Sequence, residues 1–193
     1  MIALFAISPA AALTAEYVVL PNGTAYNASI EVTDATSYTF AGVGLMGENV
    51  PIPAGGVGLS GNCSPACGYN WSRPWGAPSS ISFPEGNYTV SYTGPLQDDN
   101  LQGVFDKPYD VNVTIPPEFD VRNPLLAGIS PAANITRHAD NSTTLRWNET
   151  VTFSVRFYDP GHEELLWFFL QFMGILVVVL LVIPYILSVR KTE

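Results

Sequence analysis

The chain has 193 residues, enough for one or two domains with a core of their own. Only 13% of it is charged, the formal net charge is -9, and lysine occurs only at Lys107 and Lys191. That balance excludes a nucleic-acid binder, which needs a basic face, and plentiful β-branched and aromatic residues among 16 Gly and 16 Pro read as turn-rich β structure rather than disorder.

The first 15 residues, MIALFAISPAAALTA, carry no charge. They read as the apolar and cleavage regions of a signal peptide, with Ala12 or Ala15 the last residue removed, although the usual basic start is missing. Strands follow. EYVVL (16–20) is the first; NASIEVTD (27–34) alternates, with Ala28, Ile30 and Val32 on one face; SYTFAGVGL (37–45) is a possible partner.

Residues 46–80 are rich in Gly, Pro and Ser and show no periodicity, so they read as a long loop, functional or decorated. This loop holds the only two cysteines, Cys63 and Cys67, and the Trp71/Trp75 pair around Arg73 and Pro74. Outside a cell the thiols pair, closing a small loop worth about 2 kcal/mol or less. A zinc site would need about four ligands, and the two histidines, His138 and His162, are far away in sequence. A redox pair would want about two residues between the cysteines. The tryptophans either pack under their own loop or stack on a sugar or a partner.

In ISFPEGNYTVSYTGPL (81–96), Pro84–Asn87 is turn chemistry, and Tyr88, Val90 and Tyr92 then alternate with polar residues. Asp98, Asn100, Gln102 and Asp106 fall at calcium-loop spacing, but Tyr109 stands where a bidentate Glu belongs. A polar turn is the plainer reading and a weak calcium site the alternative. YDVNVTI (109–115) turns Val111, Val113 and Ile115 inward; a second irregular stretch covers 123–141. STTLRWNETVTFSVRFYD (142–159) gives two more strands, with Val151, Phe153, Val155 and Phe157 on one face.

Nine of the twelve asparagines begin an Asn-x-Ser/Thr triplet: Asn22, Asn27, Asn62, Asn70, Asn87, Asn112, Asn134, Asn141 and Asn148. About two would be expected by chance from the Ser and Thr content. All precede the apolar segment, as in a glycosylated ectodomain.

DPGHEEL links the last strand to LLWFFLQFMGILVVVLLVIPYIL (165–187), 23 residues without a charge. As a helix this is about 34 Å long, enough for a hydrocarbon core of about 30 Å. Glu163 and Glu164 precede it and Arg190 and Lys191 follow, which places the C-terminus in the cytoplasm and residues 1–164 outside. Gln171 within the span, with Gly174 on the same face, points to a helix–helix contact or to a side chain reaching for the outer interface. Pro184 should bend the inner end.

Enzymatic constellations are poorly supplied. GHEELLW begins like the zinc helix, but its second histidine position is Leu166. Ser60 lacks the glycine spacing of a nucleophile elbow and a base to go with it.

PEGNYTVSYTGPL, YDVNVTIPPEFDVRNPLLAGISP, VRFYD and the C-terminal anchor resemble a family of uncharacterised archaeal single-pass surface proteins over roughly residues 81–190. The resemblance implies an archaeal cell surface and brings no catalytic residues.

The expectation is therefore an all-β ectodomain, an immunoglobulin-like or related β-sandwich of about seven to nine strands, plus one transmembrane helix. The division is a signal peptide (1–15), the ectodomain (16–162, one sandwich or two split near 81–117), the helix (163–189) and a short tail (190–193). The expected role is a non-enzymatic surface glycoprotein without cofactors. Its partners are the bilayer and a membrane or envelope protein, or further copies of itself. A glycan- or calcium-binding module is the alternative and an envelope hydrolase the weakest one.

Overall fold

The computed structural model describes residues 12–44, 48–61, 63 and 67–185. Its core is built by four long strands: β2 (Ala25–Thr39), β7 (Ser80–Pro95), β8 (Asn100–Ile115) and β11 (Thr143–Arg156). Shorter strands complete it: β1 (Leu13–Val19), β3 (Ala41–Val43), β4 (Asn49–Pro51), β5 (Gly55–Gly61), β6 (Asn70–Ser72), β9 (Gly128–Ser130) and β10 (Asn134–Arg137). One nine-stranded sheet runs β10-β11-β8-β1-β2-β7-β5, with β6 also on β7 and β9 also on β11; β3 and β4 form a separate hairpin. β1 lies parallel to β8, Ala15 facing Val111, and every other pair is antiparallel.

Each long strand has an irregularity near its middle, and residues from both of its halves pack into one core. Pairing of β2 with β7 is irregular between Val32 and Ser37, and that of β11 with β8 between Trp147 and Thr152. Residues on either side of a bend meet again inside: Phe83 with Tyr88, Phe105 with Tyr109, and Trp147 with Phe153, at ring-centroid distances of 4.9, 4.4 and 5.4 Å. Tyr17 at the centre of β1 touches Phe153 from the far half of β11, 5.0 Å away. Bulges allow this because an extra residue kinks a strand and raises its local twist. At the β11 bend Glu149 takes a left-handed φ of 49°, and its N–H is held by Asp110 Oδ1 at 3.0 Å. Buried residues from Ala15 to Tyr158 form one cluster, which continues through the 81–117 region.

The expected inward residues are buried, with one correction. Ala28, Ile30, Val32, Val90, Tyr92, Val111, Val113, Ile115, Phe153, Val155 and Phe157 all face the core. Val151 does not; it is 48% exposed, because the bulge at Glu149 shifts the alternation and turns Thr150 inward. The two expected strands in 142–159 are therefore one bent strand. Likewise SYTF continues β2, and Pro84–Asn87 bends β7 without ending it. The 46–80 stretch is not a structureless loop: β5 and β6 within it both pair with β7. Leu13–Ala15, assigned above to the leader, belong to β1, with Ala15 wholly buried.

Helix α1 (Pro160–Val177) continues through a widened π-turn, Val178–Val182, to Tyr185. It starts three residues earlier than expected. Asp159 caps it, Oδ1 accepting the Gly161 N–H at 2.6 Å, and Pro160 takes a first-turn position where its missing N–H costs nothing. The π-turn lies just before Pro184, whose ring would crowd the carbonyl of Leu180 in a regular helix.

Candidate functional site

Among the described residues, most triplet asparagines lie on the outside of the domain. Asn22, Asn27, Asn70, Asn87, Asn134, Asn141 and Asn148 are exposed; Asn112, in the middle of the sheet between Glu16 and Arg146, is half-buried; Asn62 lies outside the described residues. Four are oriented by their side-chain oxygen. It accepts from the Thr24 N–H (Asn22, 3.2 Å), the Thr93 hydroxyl (Asn27, 2.8 Å), the Asp34 N–H (Asn87, 3.0 Å) and Arg146 Nε (Asn148, 3.1 Å). The amide nitrogen, to which an N-glycan attaches, is not used in these bonds.

Cys63 and Cys67 are disulfide-bonded, with Cα atoms 5.2 Å apart. The Cys63 N–H donates to the Gly61 carbonyl, and the Tyr69 hydroxyl to the Val57 carbonyl, so this segment is tied back to β5. The two tryptophans part company. Trp71 on β6 packs inward, stacked on Phe40 at 5.3 Å, with the Arg73 guanidinium 4.8 Å above its ring. Its indole N–H is buried without a hydrogen-bond partner. Trp75 is fully exposed. Trp71, Arg73 and Pro74 face Pro51–Ala54 across a groove of about 490 Å³.

The calcium candidates do not wrap around a common point. Asp98 and Asp99, with φ of 53° and 51°, make the two-residue turn closing the Gln97–Asn100 bridge. Asn100, Gln102 and Asp106 follow along extended β8. Among the described residues no group of three or more His, Cys, Asp or Glu side chains gathers for a metal. Asp98, Asn100 and Gln102 instead line a cavity of about 310 Å³ with Tyr26, Pro51 and Leu101. His138 Nε2 is bonded to the Thr144 hydroxyl at 2.8 Å, and the Ser60 hydroxyl donates to the Thr89 carbonyl at 3.4 Å.

Inside the domain five tyrosines, Tyr17, Tyr26, Tyr38, Tyr92 and Tyr109, are buried or half-buried. Burial raises the pKa of each; neighbouring phenols add to this at Tyr17 and Tyr26, whereas at Tyr38 and Tyr92 hydrogen bonds between phenols partly offset it. Tyr109 is pushed up to about 12 by burial and by the nearby Asp106 and Glu31 carboxylates. Its hydroxyl donates to the Glu31 carbonyl at 2.7 Å, linking β8 to β2.

The junction with α1 is made by backbone, ring and side-chain contacts. Tyr158 pairs with Asp120 through two backbone hydrogen bonds of 2.9 and 3.0 Å, and Phe157 packs on Phe119 with ring centroids 5.1 Å apart. The Tyr158 hydroxyl accepts the Asn123 N–H at 3.3 Å, and Asn123 Nδ2 donates to Glu163 Oε1 in the first turn of α1, also at 3.3 Å. The expected linker DPGHEEL shrinks to Asp159, since Tyr158 is paired and Pro160 is helical. Asp120 takes part through Arg122: burial alone would raise its pKa, but hydrogen bonds from the Arg122 side chain and the Arg122 and Val121 N–H groups outweigh that and lower it. The sequence gives one sign of this corner in the turn-forming Asn123-Pro124.

Along the helix Gln171 and Gly174 do share a face. With Ile175, Val178 and Val179 they line a shallow groove of about 500 Å³. The structure thus places Gln171 and Gly174 on one groove and joins Cys63 to Cys67, and leaves the calcium candidates spread over the turn at Asp98 and along β8.

No curated protein matches the chain. Residues 77–191, more than half of the chain, match a family of unknown function, DUF5803, and the chain belongs to that family.

Proposed function

We propose that the chain is a non-enzymatic, single-pass membrane glycoprotein of an archaeal cell surface. Its β domain is extracytoplasmic, its C-terminus is cytoplasmic, and it acts as an interaction or accessory subunit of the envelope or of a membrane complex. One observation carries this reading. The apolar helix of 26 residues, Pro160–Tyr185, has none of its span buried against the domain. In water such a surface is untenable, whereas a bilayer satisfies it. The exposed triplets, all ahead of the helix, support the orientation.

Gln171 supplies the partner argument. A carboxamide both donates and accepts, so two copies with the same orientation in one membrane can pair their Gln171 side chains at equal depth. Gly174 lets the backbones approach. Mild-detergent extracts of native membranes should contain this chain in a species larger than the monomer, and Gln171→Leu should weaken it. A strictly monomeric, partner-free species would reject the reading.

The groove beside Trp71 favours a second reading, a glycan-binding module. Arg73, Trp71 and the prolines that line the groove offer hydrogen bonding and an apolar surface to a sugar. A thermal shift with oligosaccharides at millimolar concentration tests it, and no shift would sink it.

A further inference from the structure

The turn between Asp120 and β9 carries an exposed apolar tip on the side of the domain from which α1 leaves. β11 runs toward α1, and β9 pairs with it antiparallel, Gly128 facing Arg156. Residues just before Gly128 therefore project past the end of β11, toward the level of the helix. The Asn123–Glu163 hydrogen bond places Asn123 beside the first turn of α1, and Glu163 is only about 3 Å along the axis from Leu165, the first residue of the charge-free run.

The turn is built to hold its tip out. Asn123 accepts the Leu125 N–H on Oδ1 at 3.0 Å, and its carbonyl takes the Leu126 and Ala127 N–H groups at 3.1 and 2.8 Å. Arg156 Nε donates to the Leu126 carbonyl at 3.1 Å. Leu126 leans on the core and Ala127 is buried, whereas Leu125 is 69% exposed beside exposed Pro124. Arg156 lies beside this tip, while Arg122 is ion-paired with Asp120. An apolar point held beside the first turn of α1, close to where its charge-free run begins, suits a lipid interface.

We propose that the Pro124–Leu125 tip seats in the outer bilayer interface as a second membrane contact, fixing how the β domain stands on the membrane. This rests on the reading of α1 as a membrane span. The test uses the full chain in phosphatidylcholine vesicles, with an environment-sensitive fluorophore on one introduced cysteine at a time and lipid-borne quenchers. The sites are Leu125→Cys, Val178→Cys within the span and Glu85→Cys at the β7 bend. The expected result is a blue-shifted, quenched label at 125 and at 178, and an unquenched one at 85. Quenching at 178 with a label at 125 as unquenched as that at 85 overturns the proposal and leaves the span intact. No quenching at 178 refutes the span, and the proposal falls with it. Equal quenching at all three sites also overturns it, since the tip would then have no special place.

Discussion

At the scale of the residue, the core is held by aromatic rings that join different strands and the two halves of bent ones. Phe153 touches Tyr17, Trp147 and Phe105, at 5.0, 5.4 and 6.1 Å. Truncating it should open a cavity that no single strand can close, so Phe153→Ala should lose about 3–5 kcal/mol in denaturant unfolding. The tyrosines set a limit in alkali. In the unfolded chain phenols ionise near pH ~10, whereas in the folded domain burial holds them higher, Tyr109 at about 12. A raised folded pKa means stability that is fully present below pH ~10 and lost as pH climbs through that value toward the folded ones. Ionisation of these five phenols and loss of circular dichroism should therefore come together, in one cooperative step above pH ~10. Ionisation of Tyr109, followed by difference absorbance against Tyr109→Phe, near pH ~10 in a still-folded domain would contradict this. The disulfide matters less: Cys63→Ser with Cys67→Ser should cost about 2 kcal/mol or less and leave the fold intact, because the closed loop is short.

At the scale of the element, alternation along each strand was legible in the sequence, and the way strands continue through bends was not. Ala28-Ile30-Val32 and Val111-Val113-Ile115 are buried as their period of two demands. Pro84-Glu85-Gly86-Asn87 reads locally as a reversal, because its residues suit turns. In the structure the chain keeps its pairing partner through that stretch, with Ala35 opposite Gly86, and only bends. Pairing across strands decides between a turn and a bend, and a local motif carries no information about it. Val151 was misplaced for the same reason: a bulge at Glu149 inserts a residue that no periodicity announces. The disulfide and the Gln171–Gly174 face could be read directly, since spacing along one short segment fixes both. The Asn123–Glu163 corner could not, because its partners are 40 residues apart. The bulge itself is testable. Glu149 sits at φ 49°, a region that costs a side chain about 1–2 kcal/mol, so Glu149→Gly should raise stability by up to about 1 kcal/mol. Unchanged or lower stability would mean that the Glu149 side chain contributes something the backbone argument omits.

At the scale of the molecule, the family segment and the folding unit do not coincide. The matched residues 77–191 contain β7, β8, β9, β10, β11 and α1. In the sheet, however, β7 and β8 are not neighbours: β1 and β2 stand between them, β1 parallel to β8 and β2 antiparallel to β7. Removing residues 1–76 would strip the centre of the sheet, unpairing both edges of β7, which lie against β2 and against β5 and β6, and one edge of β8 at once. It would also remove Ala15, Tyr17, Ala28 and Ile30 from the buried cluster. The loss of apolar burial alone would be several kcal/mol, comparable with the whole stability of a domain this size. A fragment of residues 77–193 should therefore be unfolded or aggregated in detergent, judged by amide exchange and near-ultraviolet circular dichroism. Supplying residues 12–76 as a separate chain should restore protection in β7 and β8. The same geometry constrains any leader cleavage. Removal after Ala15 would cost β1 its Leu13 and Thr14 pairings with Tyr109 and Asp110 and its buried alanine, whereas removal after Ala12 keeps the strand whole. If a leader is removed at all, sequencing of the processed chain should thus begin at Leu13. A mature start at Glu16 would show that the sheet closes on β1 without its first turn of pairing, and that the parallel contact is less important than its central position implies.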